Sequence, residues 1–392
     1  MKDSIVILSA RRTPIGAFQG ALSAATAPQL GAAASQAAIE AAGLTGADIQ
    51  EVIMGCVLAA GLGQAPARQA ALAAGVPAAT PATTINKMCG SGMKAVMMAA
   101  DQLRCGDIDF ALAGGLESMS NAPYLLPKAR SGYRMGHGEV LDHMFYDGLQ
   151  SAWDGQLMGC FAENTADKYR FTREAQDAFA SESVRRALKA VEGGEFEAEI
   201  ASVKVSTRKG EVVVARDETP FNCSIEKIPT LKPAFRKDGT VTAASSSSIS
   251  DGAAAVVLAR ESAAQSRGLK PLARVLGYAS HSQAPEWFTT APAAAISKTL
   301  QQVGWKSSDV DLFEVNEAFA VVAMAAMHEL KLEHARVNVR GGACALGHPV
   351  GATGARLITT LVHALAQRGA RRGIAALCIG GGEATAIAVE MI

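Results

Sequence analysis

Long apolar runs are missing from this chain: nowhere in its 392 residues do roughly eighteen apolar residues follow one another, so no segment reads as a bilayer-spanning helix. Charge of one sign is missing too. Lys plus Arg and Asp plus Glu both number 37. No net field therefore favours nucleic acid or an anionic membrane, and no basic stripe with interleaved aromatics appears. Cys-x-x-Cys pairs are absent, and seven irregularly spaced cysteines form neither a disulfide framework nor a zinc site. The expectation is a cytoplasmic protein with no metal. The start, Met1 to Thr13, reads as a short strand running into a basic turn, without the apolar core and cleavage site of a secretory signal. There is no Walker A motif.

What is present is glycine beside reactive side chains. Asn86–Gly92 (NKMCGSG) and Leu377–Gly382 (LCIGGG) each carry a cysteine, and Gly347–Gly354 (GHPVGATG) carries a histidine. Without a Cβ the backbone can turn sharply and a substrate can come close. After Cys89 the chain reads as a strong helix closed by Gly106. Cys89 would therefore stand at a helix N-terminus, where amide N–H groups and the helix dipole stabilise a thiolate. Free cysteines are ordinarily small buried hydrophobes, and Cys56, Cys105, Cys160 and Cys223 are read as packing residues. Cys344 is read as core or as support for His348. Likewise His137 and His143 are read as surface or interface groups, and His281, His328, His334 and His363 have no supporting neighbours. Asn316 and Glu317 either serve the site or cap a helix beginning near Ala318.

The chain is also duplicated. The segment Ala42–Gly55 matches Val303–Asn316: Gly43 aligns with Gly304, Asp48 with Asp309 and Ile49 with Val310, 261 residues on. Gly92 aligns with Gly354, 262 residues on. Each is followed by a long apolar helical run, a glycine turn and a continuously apolar strand, which implies helix-covered sheets in a layered α/β architecture. Between the halves, 119–249 is richer in Met, Tyr, Trp and charge. It holds a helix over 171–188 with Thr172 as N-cap and Gln176 near the capping-box position, so it reads as an insertion that carries binding specificity.

Taken in register, these segments resemble the thiolase family, the acyl-CoA acetyltransferases. Asn86–Gly92, Val315–Ala320 (VNEAFA), Gly347–Arg356 (GHPVGATGAR) and Cys378–Gly382 (CIGGG) stand in that family's order and spacing, and the likeness runs over essentially the whole chain. The resemblance implies two similar βαβαβαββ domains with pseudo-twofold symmetry and an inserted loop domain. The N-terminal half would be 1–118 plus 250–270, the loop domain 119–249 and the C-terminal half 271–392.

It also implies an acetyl-CoA C-acetyltransferase: ping-pong Claisen condensation of two acetyl-CoA to acetoacetyl-CoA, and the reverse thiolysis, through an acyl-Cys89 intermediate. Coenzyme A thioesters would be substrates, with no tightly bound cofactor. Cys89 would be the nucleophile, His348 would take its proton, and Cys378 would be the second acid/base. One oxyanion hole would use the Cys89 and Gly380 N–H groups, the other His348 and a water held by Asn316. Ser247, Met158, Phe235, Phe288, Phe319, Leu149 and Ala243 would contact coenzyme A. The segment 129–144 matches the loop that pairs dimers, implying a homotetramer, with no nucleic-acid or membrane partner.

Several positions depart from the family pattern. Leu157-Met158-Gly159 replaces His-Met-Gly, which removes a polar group near the acyl pocket and leaves room for apolar chains. Ala244 to Ser248, Pro220 and Arg340 also depart, leaving chain length and coenzyme A affinity open. A 3-ketoacyl-CoA thiolase of broader chain length is the alternative. A carrier-protein ketoacyl synthase shares the fold but has histidine or asparagine where Cys378 stands, and a non-catalytic acyl-CoA-binding relative would not need Cys89.

Overall fold

The computed structural model describes residues 3–208 and 210–392. Its centre is a ten-stranded sheet made from two copies of one topology. In chain order the main strands are β1 (Ile5–Arg12), β2 (Glu51–Gly55), β3 (Ala82–Ile85), β4 (Phe110–Ser118), β5 (Ser250–Arg260), β6 (Ala273–Ser282), β7 (Leu312–Val315), β8 (Arg372–Ile379) and β9 (Glu383–Met391). They lie side by side as β7-β8-β9-β6-β1-β5-β4-β2-β3, with a two-residue strand, Gly16–Ala17, added to β5. That order is a palindrome about the antiparallel β1/β6 pair. The one missing element, a counterpart to β3, survives as an isolated parallel bridge from Phe313 to Val337.

The sequence repeat becomes a structural repeat because the same local chemistry acts twice. Gly43 and Gly304 each follow a helix in left-handed conformation, with φ of +70° and +71°. A single 3₁₀ turn comes next, Gly46–Asp48 in one half and Ser307–Asp309 in the other. Its last aspartate folds back onto the backbone: Asp48 Oδ2 accepts from Thr45 N at 2.7 Å, and Asp309 Oδ2 from Lys306 N at 2.8 Å. A buried strand then pairs in parallel, β2 with β4 and β7 with β8. The sheet as a whole is mixed, since β5 and β9 run antiparallel to their neighbours. Its strands are nonetheless apolar without alternation because helices cover both faces.

Helices α1 (Ala27–Ala41), α2 (Ser91–Cys105), α3 (Met158–Tyr169), α4 (Arg173–Glu192), α5 (Ala291–Val303), α6 (Ala320–Leu330) and α7 (Val350–Arg368) supply the layers. α1 covers one half of the sheet, and α5 with α6 the other. Between the halves lie α2 and α7, the duplicated pair. Met93, Val96 and Leu103 pack there with Leu357, Ile358 and Leu361 in one fully buried core, each such side chain contributing about 1.5–3 kcal/mol. The matched glycines explain how close the two helices come. A Cβ on Gly354 would lie 2.3 Å from Met93 N, and one on Gly92 2.9 Å from Ala355 N. Only glycine lets these backbones touch, and the contact brings both helix N-termini to one place.

The inserted region adds α3 and α4, a hairpin (Val203–Thr207 with Gly210–Val214) and a small two-stranded pairing of Tyr124–Leu125 with Leu141–Asp142. Thr172 caps α4, accepting from Ala175 N. Gln176 does not complete a capping box: it is buried and its amide instead bonds Phe171 O and Thr240 Oγ1. Two further readings need correction. Cys105 is exposed at the end of α2, not packed. His143 is buried, with Nδ1 2.6 Å from Asp147 Oδ2 and Nε2 accepting from Ala60 N; four residues of spacing on one turn let the carboxylate reach back to the ring. Among the described residues no helix is long and apolar enough to cross a membrane.

Candidate active site

Cys89 sits on a tight turn between β3 and α2. Met88 takes φ of +47°, a left-handed conformation that costs a side chain about 1–3 kcal/mol and needs surrounding bonds to hold it. Those bonds are present. Asn86 Oδ1 accepts from Met88 N at 2.8 Å, while Ser91 Oγ donates to Met88 O and accepts from Lys87 N. Gly90 is the N-cap of α2, and a Cβ there would lie 2.3 Å from Ile379 Cδ1. Its absence lets the end of β8 come against the turn.

β8 delivers two groups. The Gly380 N–H, with that of Cys89 itself, is directed at the Cys89 sulfur. Cys378, the last strand residue but one, is wholly buried among Phe161, Phe288, Phe319 and Val322. The thiols differ in setting. Burial pushes Cys89 up to about 11; the Gly380 and Cys89 amides pull it down, and the nearby Glu117 charge pushes it up again. Burial also drives Cys378 well above the usual thiol range, and Cys89 adds to that shift, so the two sulfurs lie within electrostatic reach. Burial thus opposes the thiolate that the Gly380 and Cys89 amides favour, and Cys89 itself is only half-buried.

His348 precedes α7 as Cys89 precedes α2, and both line one cavity. Its Nδ1 is 2.6 Å from Thr353 Oγ1, whose own hydrogen goes to Pro349 O. Nδ1 therefore carries the proton. Nε2 is left as an acceptor, facing the Asn316 Nδ2 donor at 3.5 Å. Burial, aided by the Arg356 charge, lowers His348 to about 3 and keeps it neutral. A histidine held neutral in the fold and charged at 6.5 when unfolded stabilises the protein above that value and loses the contribution as pH falls. From 6.5 to pH 5 the cost is about 2 kcal/mol. We expect His348→Gln to unfold with a shallower acid dependence by that amount, measured as urea midpoints at the two pH values. Parallel slopes would count against it.

Asn316 and Glu317 do not cap a helix. α6 begins at Ala320 with Phe319 as N-cap and no side-chain cap. Asn316 is buried against His348, whereas Glu317 is a structural brace, bonded by Ser183, Asn338 and the Cys344 N–H. Cys344 is thus buried support.

The cavity, about 240 Å³, is lined by Cys89, His348 and Gly380 together with Ser247, Met158, Phe235, Phe288, Phe319 and Leu149. Cys378 is not on that wall but packs with Phe288 and Phe319, which are. Ala243 does not reach it either, and is exposed on its loop. Leu157 is on the wall, whereas Pro220 and Arg340 are not. Arg340 is buried instead against Glu199 at 3.1 Å and Glu195 at 3.2 Å.

Glu117 escaped the sequence reading. Its buried carboxylate takes the N–H groups of Val57, Leu58 and Gly351 at 2.9–3.0 Å, tying the β2 exit loop to the start of α7. Burial raises it to about 7, against the three amides. The signal was there to find: one acidic residue ending a run of buried apolar strand.

The comparisons agree with this geometry. The family model described as thiolase, N-terminal domain matches residues 5–262, and that for the thiolase C-terminal domain matches 269–391. The chain belongs to the thiolase family. An acetyl-CoA acetyltransferase of Pseudomonas aeruginosa is 49% identical over 389 residues, covering 99% of each chain. One from Escherichia coli is likewise 49% identical with 99% of each chain covered. The crystal structure of the Bacillus anthracis acetyl-CoA acetyltransferase superposes with a TM-score of 0.98 at 42% identity, over 100% of this thiolase and 99% of that chain. An Ascaris suum thiolase solved in complex with coenzyme A gives 0.94 at 45% identity, over 99% and 100%. This thiolase is accordingly an acyltransferase of two duplicated halves, with Cys89 and His348 at the N-termini of matched helices.

Proposed function

We propose that the protein is an acetyl-CoA C-acetyltransferase. The observation that carries the reading is one cavity in which Cys89, a neutral His348 with a free Nε2 and the Gly380 amide meet. Its full-length relatives named acetyl-CoA acetyltransferase support the choice of acyl group. Cys89 attacks the acetyl carbonyl and its proton passes to His348. The coenzyme A thiolate leaves and collects the Cys378 proton, so Cys378 becomes the base that takes an α-proton from the second acetyl-CoA. The resulting carbanion attacks the thioester, Cys89 departs and recovers its proton from His348, and acetoacetyl-CoA is released. Donors aimed at each oxyanion contribute on the order of 10²–10³ in rate apiece; we assign these to the Cys89 and Gly380 amides, and to His348 with a water at Asn316. Ser247, Met158, Phe235, Phe288, Phe319 and Leu149 form the channel for the thioester arm.

The broader 3-ketoacyl-CoA reading has one observation in its favour: Leu157 makes the wall apolar where the family often has histidine. Thiolysis of a 3-ketoacyl-CoA length series separates the two. Acetoacetyl-CoA is expected to have the highest kcat/KM, and equal values for longer chains would move the assignment. All seven thiols are free, which suits a reducing compartment such as the cytoplasm. Tyr124, Leu126, Met135, Val140 and Tyr146, in and around 129–144, are exposed large apolar side chains that a second copy would cover in the homotetramer we propose. Light scattering at micromolar concentration is expected to give a tetramer mass; a dimer mass would refute it.

A further inference from the structure

Arg356 is fully buried in α7, with Glu314 of β7 as its ion-pair partner at 3.6 Å, an electrostatic contact without a hydrogen bond. The pairing is not an isolated contact. α7 packs on β7, and residues three apart on a helix share a face, as do residues two apart on a strand. Thr353 and Arg356 therefore project from one face of α7, and Asn316 and Glu314 from one face at the end of β7. The first rung of this ladder holds the imidazole: Thr353 takes Nδ1 and Asn316 faces Nε2. The second rung, one turn deeper, is Arg356 with Glu314.

We propose that the buried Arg356–Glu314 pair is a positioning device that fixes the spacing of α7 and β7, and thereby the His348–Asn316 contact on which base catalysis depends. The inference rests on the role assigned above to His348. A guanidinium cannot discharge itself in a protein, and a buried one without a counter-charge is strongly destabilising; Glu314 is its ion-pair partner, burial pushing that carboxyl up and the Arg356 charge pulling it down. The charge also reaches the site. Of the groups around His348, namely Arg356 on its own helix, Glu117 at Gly351, Glu314 and Glu317 on and after β7, and the thiols of Cys89 and Cys378, Arg356 is the one that adds to burial in disfavouring the imidazolium. Neither Arg356 nor Glu314 lies on the cavity wall.

The test uses the intact enzyme and two readouts. The first is the rate of Cys89 acetylation by acetyl-CoA alone; the second is the ¹⁵N spectrum of the His348 ring. Arg356→Gln is expected to slow acetylation about 10²-fold, the effect of roughly 1 Å of misplacement, with little change in KM for acetyl-CoA. Its imidazole should lose the Nδ1–H signature or protonate near neutral pH. Arg356→Lys keeps the charge and is expected to recover the rate to within about threefold. Because Arg356→Gln strands a buried carboxylate and can fail to fold, the apolar double variant Arg356→Met/Glu314→Leu is the second arm, with slow acetylation and an altered ring spectrum expected. A wild-type rate or a wild-type His348 spectrum in that double variant overturns the proposal. The ring spectrum needs no turnover, so failure of Cys89 to acetylate in wild type would sink the assigned reaction while leaving the positioning test intact.

Discussion

Incubated with acetyl-CoA alone, the wild-type protein is expected to carry one acetyl group on Cys89, whereas Cys89→Ala carries none and loses condensation by about 10⁴-fold or more. The size of the effect follows from the site. With the sulfur gone, the Gly380 and Cys89 amides can still bind an oxyanion, but no group is left to hold the acetyl unit between half-reactions. Peptide mass spectrometry after a short incubation reads the adduct directly. An acetyl group on any other cysteine would contradict the assignment.

The second large effect is expected at Cys378. Cys378→Ser should acetylate on Cys89 at close to the wild-type rate, since a thiolate leaves without needing a proton, yet condense on the order of 10³-fold more slowly. A serine hydroxyl is a far weaker acid than a thiol. It neither gives up its proton to the departing sulfur nor supplies a base for the α-proton of the second acetyl-CoA. The two half-reactions are measured separately, by the acetyl adduct and by acetoacetyl-CoA formation. Equal condensation rates would refute the role given to Cys378.

Much of this site was legible before any coordinates because its parts are local. A glycine beside a cysteine and a helix start after it depend on residues within one or two turns of each other, and the duplication repeats the Gly92 and Gly354 positions. The insertion stood out by composition, and Thr172 by its cap. What could not be read were contacts between distant residues. Gly351 and Glu117 are 234 positions apart, Arg12 and Asp217 205, and nothing along the chain pairs them. His143 and Gln176 were misread for the same reason: their exposure is set by what packs over them.

The sequence by itself determined the reacting groups, the twofold repeat and the places where backbone must approach backbone, since these follow from side-chain chemistry and the missing Cβ of glycine. Tertiary structure alone decided that the matched helices cross at Gly92 and Gly354 and so aim Cys89 and His348 into one cavity. It also decided that burial there opposes ionisation of both the thiol and the imidazole. Burial is a property of the assembled layers, and no stretch of chain carries it.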